Sequence, residues 1–491
     1  MAIATRYQAV IGLEVHAQIL THSKMFCGCS TDYLTAPPNA NTCPVCLALP
    51  GSLPVINRKA VEATIRTALA LNCEIPEFTK FDRKNYFYPD LPKGYQISQY
   101  DLPLSRNGRL EFEVNGEPRR CGITRVHLEE DTGKLLHAGE IHRAQSSLVN
   151  LNRAGVPLME IVGEPDLRSA DEAREYFTRL RAILQYAGIN NGDMESGQLR
   201  CDANVSIRPE GSTTYGTKVE IKNMNSFRSV HRAIEFEIER QVQVLESGGA
   251  LVQETRGWND PKGVTVSQRS KEYAHDYRYF PEPDLPPLVV TRGWVEEIRR
   301  TLPELPAARR ARFVSQFELS IYDATLLTSS KTVADFFEQA VRADGGAPPK
   351  AVANWILGDL SRIRGTEAWD TAGAPLSPAH LAQLIRLIDS GTISGKMGKD
   401  LLGQAVASGK APQDLVAEQG LSQVTGEDQL GAWVDQVIAE NAKSSQDFKG
   451  GKPQALGFLV GQVMKLSKGR ANPERVNALL RERLGPGPPN G

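Results

Sequence analysis

The chain has 491 residues, 41% of them hydrophobic and 23% charged, ordinary globular usage that excludes wholesale disorder and a single compact core. Fifty-seven Lys plus Arg against 58 Asp plus Glu leave a formal charge of −1, which excludes coating of nucleic acid by bulk charge while leaving open a basic patch on one domain. No apolar run approaches the ~18 residues of a bilayer span and the first residues carry no signal-peptide core, so a cytoplasmic protein without membrane contact is expected.

In chain order, the first element is a strand over Leu13–Ile19. Alternation puts Leu13, Val15, Ala17 and Ile19 on one face and Glu14, His16 and Gln18 on the other. Next come Cys27-Gly-Cys29 and, thirteen residues on, Cys43-Pro-Val-Cys46. Two close pairs across a short loop fit a tetrahedral thiolate site for zinc. With every corner filled by protein, the metal there is structural. The bland alternative is four unrelated buried thiols. Cys73, Cys121 and Cys201 lack such spacing and read as packing residues.

A helix opens at Asn57 with Val61, Ile65, Ala68 and Leu69 facing inward. The Arg83–Ser98 stretch is dense in aromatics, Pro and cations. It reads either as a packed surface loop or as a lining that presents Lys84 and Lys93 to a substrate. A further strand, Arg125–Glu129, sets Val126 and Leu128 against Arg125, His127 and Glu129. Ser169-Ala-Asp-Glu172 is a capping box for a helix that buries Ala173, Phe177, Leu180, Leu184 and Ala187 and stops at Gly188. Over Leu199–Arg208, five apolar residues oppose Arg200, Asp202, Asn204, Ser206 and Arg208. Over Lys218–Lys222, Val219 and Ile221 oppose Lys218, Glu220 and Lys222. A second charged aromatic region spans Glu254-Thr-Arg256 and Arg269–Asp284.

From about residue 295 the texture turns helical, with breaks at Pro303 and Pro306, at Gly345–Lys350 and at Gly409–Pro412. Residues 411–440 hold six acids and no Lys or Arg, whereas residues 441–491 hold nine Lys plus Arg against three acids. A local excess of cations around the apolar Gly457–Lys468 segment suits contact with a phosphate backbone, although a charge run is more often a solvated face. The last seven residues, from Gly485, are expected to fray.

Four strands thus share one pattern, an apolar face and a face of Glu, His, Asp, Asn and Arg, the residue types that hold divalent cations and phosphates. If the strands are neighbours, that face is a floor suited to Mg²⁺ and a nucleoside triphosphate. The alternative is an antiparallel sheet with one merely wet face. Neither a Walker loop, a dinucleotide fingerprint nor a nucleophile elbow occurs; Gly391–Lys396 is one residue short of a Walker loop and lacks its final hydroxyl.

A series of motifs resembles the GatB family, the B subunits of tRNA-dependent amidotransferases. It runs through Val10–Gln18, Phe81–Asp90, His127–Lys134, Leu199–Ser206, Glu220–Phe227, Asp276–Asp284 and Gly457–Gln462, in the family's order and across nearly the whole chain. The resemblance implies an α+β fold: a cradle domain on a mainly antiparallel sheet over residues 1–294, with the zinc insertion near 27–46, then a helical domain over 295–410 and a YqeY-like, tRNA-binding tail over 411–491. It implies an ATP-dependent carbon–nitrogen ligase working in a heterotrimer, its two partners being an amidase (the A component) and a small C component. Misacylated tRNA, Asp-tRNA(Asn) or Glu-tRNA(Gln) or both, is the substrate, and the cognate non-discriminating aminoacyl-tRNA synthetase is a further partner. A protein of this family would phosphorylate the misacylated carboxylate with ATP and Mg²⁺, and ammonia carried from the amidase would displace phosphate. Family members without the four cysteines mark the zinc as a local staple.

Placed on this chain, His16 and Glu129 are the foremost Mg²⁺ ligands, with Glu14, Asp202, Glu220 and Glu254 as additional or outer oxygen ligands. Arg200, Asn204 and Lys222 would contact nucleotide phosphates. Lys84 and Lys93 would line the ammonia route or the acyl end of tRNA. Two rival readings remain: a non-catalytic, zinc-stabilised RNA-binding adaptor, and a metal-dependent hydrolase that needs no ATP.

Overall fold

The computed structural model describes residues 6–137, 146–268, 277–343, 345–421, 427–467 and 470–485. Arg269–Asp276 of the second aromatic loop, Lys468 and the end beyond Gly485 lie outside them. The chain divides into two compact units, Met1–Pro306 and Ala307–Gly491.

The four expected strands are members of one eight-stranded sheet in the first unit. In chain order its strands are β1 (Tyr7–Gln18), β2 (Ser105–Val114), β3 (Glu117–Glu130), β4 (Pro157–Gly163), β5 (Leu199–Pro209), β6 (Val219–Lys222), β7 (Thr255–Asn259) and β8 (Val264–Ser267). They lie side by side as β8-β7-β6-β5-β1-β4-β3-β2. Every pair is antiparallel except β6 with β7.

One face of the sheet is greasy, and three helices close over it. Helix α1 (Arg58–Ala70) packs on β2 and β3, α2 (Ala170–Tyr186) on β2, and α3 (Phe227–Glu246) on β5. Their apolar stripes join Leu13, Val15, Ala17, Val126, Leu128, Met159, Ile161, Ala203 and Val205 in a single core. Helix starts follow their caps. Asn57 accepts from Lys59 N, Ser169 from Glu172 N and Ser226 from Ser229 N. The Glu172 carboxylate does not close the box onto Ser169; it accepts from Arg168 N at 2.7 Å instead. Gly188, just past the end of α2, takes the left-handed φ of 68° that the stop signal requires.

A register shift in β3 is decisive for the other face. Cys121 and Ile123 are buried on the helix side, but a β-bulge between Ile123 and Arg125 inserts one residue. Side-chain parity therefore inverts. Val126 and Leu128 take over the core, and Arg125, His127 and Glu129 cross to the polar face.

Above that face sits a small sheet of Asp82–Asn85, Tyr95–Ser98 and Phe280–Pro281. The two aromatic, cation-rich stretches of the sequence are thus parts of one module. Arg83 clamps it, donating to both Glu282 oxygens at 2.7 and 2.8 Å and to Asp284 at 3.0 Å.

The named elements of the second unit are helices among the described residues. The helix Gly395–Ser408 ends on Gly409 at φ 72°, and the next begins at Pro412, so the Gly409–Pro412 break falls where expected. Its final helices enclose their own core of Leu430, Val434, Leu459, Val463, Val476 and Leu480. No described helix is long and apolar enough to cross a membrane.

Leu180 of α2 is fully buried in the first unit's core. Leu180→Ala is expected to cost about 2–5 kcal/mol, read as a lower thermal midpoint with the helical unit's circular dichroism retained.

Candidate active site and metal centres

Register sets the site. His16 on β1 lies directly opposite Arg200 on β5 and Glu160 on β4, and Glu160 in turn lies opposite His127 on β3. One row across four strands therefore reads Arg200, His16, Glu160, His127. The neighbouring row sets Lys222, Asp202 and Glu14 side by side.

The first row and Glu129 form a compact cluster. His16 Nε2 is 3.5 Å from Glu129 Oε1 and 3.5 Å from Glu160 Oε2, while His127 Nε2 is 3.3 Å from Glu160 Oε2. Arg125 Nε donates to His127 Nδ1 at 3.4 Å and Ser98 Oγ to Glu129 at 3.4 Å. Glu129 and His127 are only 2% exposed. Burial alone would raise the Glu160 pKa, but His127 and His16 outweigh it and hold the carboxyl well below its ordinary range. Burial likewise opposes charge on His16, yet Glu160 and then Glu129 push it up to about 9. Lys84, on the small sheet, has its ammonium 4.9 Å from the Tyr277 ring centre. Although burial works against its charge, Glu129, Tyr279 and Glu160 hold its pKa above the ordinary lysine value.

One ligand atom from each of His16, Glu129 and Glu160 lies within 4.8 Å of the others. Two buried carboxylates and an imidazole at that separation fit a divalent cation, with outer positions left for water and phosphate oxygens. Beside them, Asp131 is braced by Gln18 at 2.8 Å, Arg200 at 3.3 Å and Arg153 at 3.8 Å. Arg200 is thus committed partly to Asp131.

The second row has a different character. Asn204 donates to Glu14 at 2.8 Å, and its own Oδ1 is buried without a partner among the described residues. Lys222 reaches Asp202 at 3.0 Å and Glu220 at 3.8 Å, and Thr255 donates to Glu220 at 2.9 Å. Glu14, Asn204, Ser206, Gly12, Gly216 and Lys218 line a cavity of about 450 Å³, within the range of small-molecule sites.

Two expected site residues are placed elsewhere. Because β7 runs parallel to β6 with Thr255 beside Glu220, Glu254 falls on the opposite parity. It pairs with Arg256 at 2.6 Å, and Arg256 is 3.7 Å from Glu237 of α3, so Glu254 belongs to the helix-covered side. Lys93 is ion-paired with Glu130, and both line a separate cavity of about 130 Å³ shared with Cys27 and Cys46. Glu14, Asp202 and Glu220 share the polar face but stand outside the three-residue cluster. Glu160 is missing from the sequence-based set, and His127 is assigned no role there. A lone Glu in the apolar run Pro157–Val162 is the signal that points to it.

Cys27, Cys29, Cys43 and Cys46 converge as expected, their sulfurs within 4.8 Å of one another. Cys43 and Cys46 Sγ are 3.8 Å apart, the edge of a tetrahedron with metal–sulfur bonds of ~2.3 Å. Cys27 first, then the backbone N–H of Cys43 and the Lys24 ammonium, push the Cys46 thiol down to about 4 against the effect of burial. The set fits zinc. Metal analysis is expected to find about one tightly held zinc per chain, and Cys43→Ser to lose it.

A sheet whose polar face carries a carboxylate–imidazole cluster, beneath a cation-bearing module, marks a candidate catalytic domain, which also carries a four-cysteine cluster able to hold a metal. Residues 9–296 match the GatB/GatE catalytic domain and residues 335–484 the GatB domain. Similar proteins include those of Carboxydothermus hydrogenoformans, 56% identical over 97% of this chain and 99% of the relative, and Moorella thermoacetica, 55% identical over 97% and 100%. That of Geobacter sulfurreducens is 54% identical over 97% and 99%. Each is named as the B subunit of an aspartyl/glutamyl-tRNA(Asn/Gln) amidotransferase. The chain belongs to the GatB family.

Proposed function

We propose that this chain is the B subunit of a glutamine-dependent amidotransferase, an ATP-dependent carbon–nitrogen ligase that converts Asp-tRNA(Asn), Glu-tRNA(Gln) or both to the amidated forms. The observation that carries the reading is the His16–Glu129–Glu160 cluster facing Lys84 in a chain of this family. A free carboxylate is a poor acyl donor, because the leaving group would be oxide or hydroxide. Transfer of the γ-phosphoryl group from ATP to a carboxylate oxygen releases ADP and converts that oxygen to phosphate, which ammonia then displaces from the acyl carbon. Such transfer needs positioning and charge neutralisation more than covalent help from the protein.

The residues divide that work. Glu129, Glu160 and His16 would hold Mg²⁺, which neutralises charge on the phosphates when bound. Lys84 presents a cation above the same carboxylates, where the substrate acyl group enters. Asn204, which lines the cavity beside Glu14, and the nearby Lys222 supply polar contacts to the nucleotide that this cavity accommodates. Arg200 sets the far end of the row and keeps Asp131 in place. The four cysteines hold zinc as a staple and take no part in chemistry.

Partners follow the same reading: the amidase and the small third protein of the heterotrimer, misacylated tRNA and the non-discriminating synthetase that supplies it. In this reading residues 1–294 form the cradle, whose compact unit runs on to Pro306; a helical domain extends to 410, and the tail is 411–491, whose own core and the cationic surplus of its 441–491 portion support tRNA contact. Cytoplasmic work is consistent with this.

Glu129→Gln in the assembled heterotrimer is expected to lower ATP-dependent amidation by at least about 100-fold. Glutamine hydrolysis by the amidase stays measurable. Full amidation by that variant removes Glu129 from the site, and turnover without ATP favours a hydrolase. Reversing Lys449, Lys452 and Lys465 to Glu is expected to raise KM for misacylated tRNA and flatten its salt dependence, with tRNA-independent glutaminase unchanged.

A further inference from the structure

Lys24 is the most deeply buried lysine described, 1% exposed, and among the described residues it makes no ion pair with a carboxylate. Glu130, which lines the same cavity, is held by Lys93. The Lys24 ammonium instead lies 3.6 Å from Cys46 Sγ and donates to Asn41 O at 2.7 Å and Leu151 O at 3.4 Å. A buried ammonium without a counter-charge is strongly destabilising. Four thiolates around Zn²⁺ carry a net charge of −2, so centre and lysine each supply what the other lacks.

The second half of the argument is connectivity. The cysteine lobe is stitched to the segment that leads into β4. Asn41 N donates to Asn152 Oδ1 at 2.9 Å, Asn152 Nδ2 to Pro37 O at 2.7 Å, and Leu151 N to Asn39 Oδ1 at 2.7 Å. Met25 N donates to Gly155 O at 2.7 Å. Arg153, in the same segment, donates to Thr132 O at 2.9 Å and sits 3.8 Å from Asp131. The lobe therefore grips the backbone that places Glu160 and braces Asp131, and Lys24 touches both sides of the seam.

We propose that Lys24 is the built-in counter-cation of the Cys27–Cys29–Cys43–Cys46 centre and the joint through which metal loading orders the 150–155 segment. The inference rests on the zinc reading given above. Lys24 acts as a positioning residue, touching neither substrate nor nucleotide.

The test uses the full chain loaded with zinc and a colorimetric zinc chelator at fixed pH. Lys24→Met is expected to release zinc at least tenfold faster than the wild type. Lys24→Gln, which keeps a donor without charge, should release it as fast as Lys24→Met. Hydrogen exchange on the wild-type chain supplies a measurement independent of the variants: stripping zinc should raise exchange at residues 150–155 and leave α2 unchanged. Release at the wild-type rate from either variant overturns the counter-cation role. Unchanged exchange at 150–155 overturns the joint. A wild-type chain that holds no zinc overturns the zinc reading itself, a separate failure.

Discussion

Two carboxylates, Glu129 and Glu160, are buried on one face of the sheet with imidazoles on either side, and that juxtaposition constrains everything around it. Buried carboxylates close together repel, and the cheapest escape is for one to take up a proton. Here Glu160 is held well below its ordinary range because the register of β1, β4 and β3 delivers His127 and His16 to the gap between the two carboxylates, while Lys84 overlooks it. A slip of one residue in any of those strands would send a charge into the helix-packed core. The core therefore enforces the site's geometry: Leu13, Val15, Leu128, Met159 and Ile161 lock the strands by parity, and the charged groups follow.

Around this floor the molecule divides its labour by face and by edge. The helices hold the underside. The Arg83–Glu282 clamp fixes the aromatic module that carries Lys84, although its two halves are 199 residues apart in sequence. The cysteine lobe secures the segment that enters β4. The clamp bears on Lys84, and the lobe on the segment that leads to Glu160.

Much of this is legible in the sequence, and the failures have identifiable causes. Period-two alternation locates β1, β5, β6 and the polar half of β3, since each has one greasy and one wet face. It misses β4, where Leu158 and Val162 flank Glu160 on the polar side; with both faces mostly apolar, the run looks like an undifferentiated buried strand. Glu254 is drawn to the site by its residue type, but the parity of a parallel neighbour depends on a pairing that no local pattern reveals. Lys93 lies between Pro92 and Gly94, where no period exists to say which way a side chain points. The four thiols can be read because their spacing is itself the geometry. That the two aromatic stretches are one module cannot, because only the folded register brings them together.

The bulge in β3 has an evolutionary corollary. Upstream of it, between Glu117 and Ile123, a gained or lost residue can be absorbed by sliding the bulge or resizing the hairpin that turns at Asn115–Gly116. Downstream, from Arg125 to Glu130, the same event would exchange His127 and Glu129 for Val126 and Leu128 and bury charge in grease. One strand thus carries two regimes, an arm where a length change can be taken up at the hairpin or the bulge and an arm where it turns charge inward, with the bulge at Thr124 as the border between them.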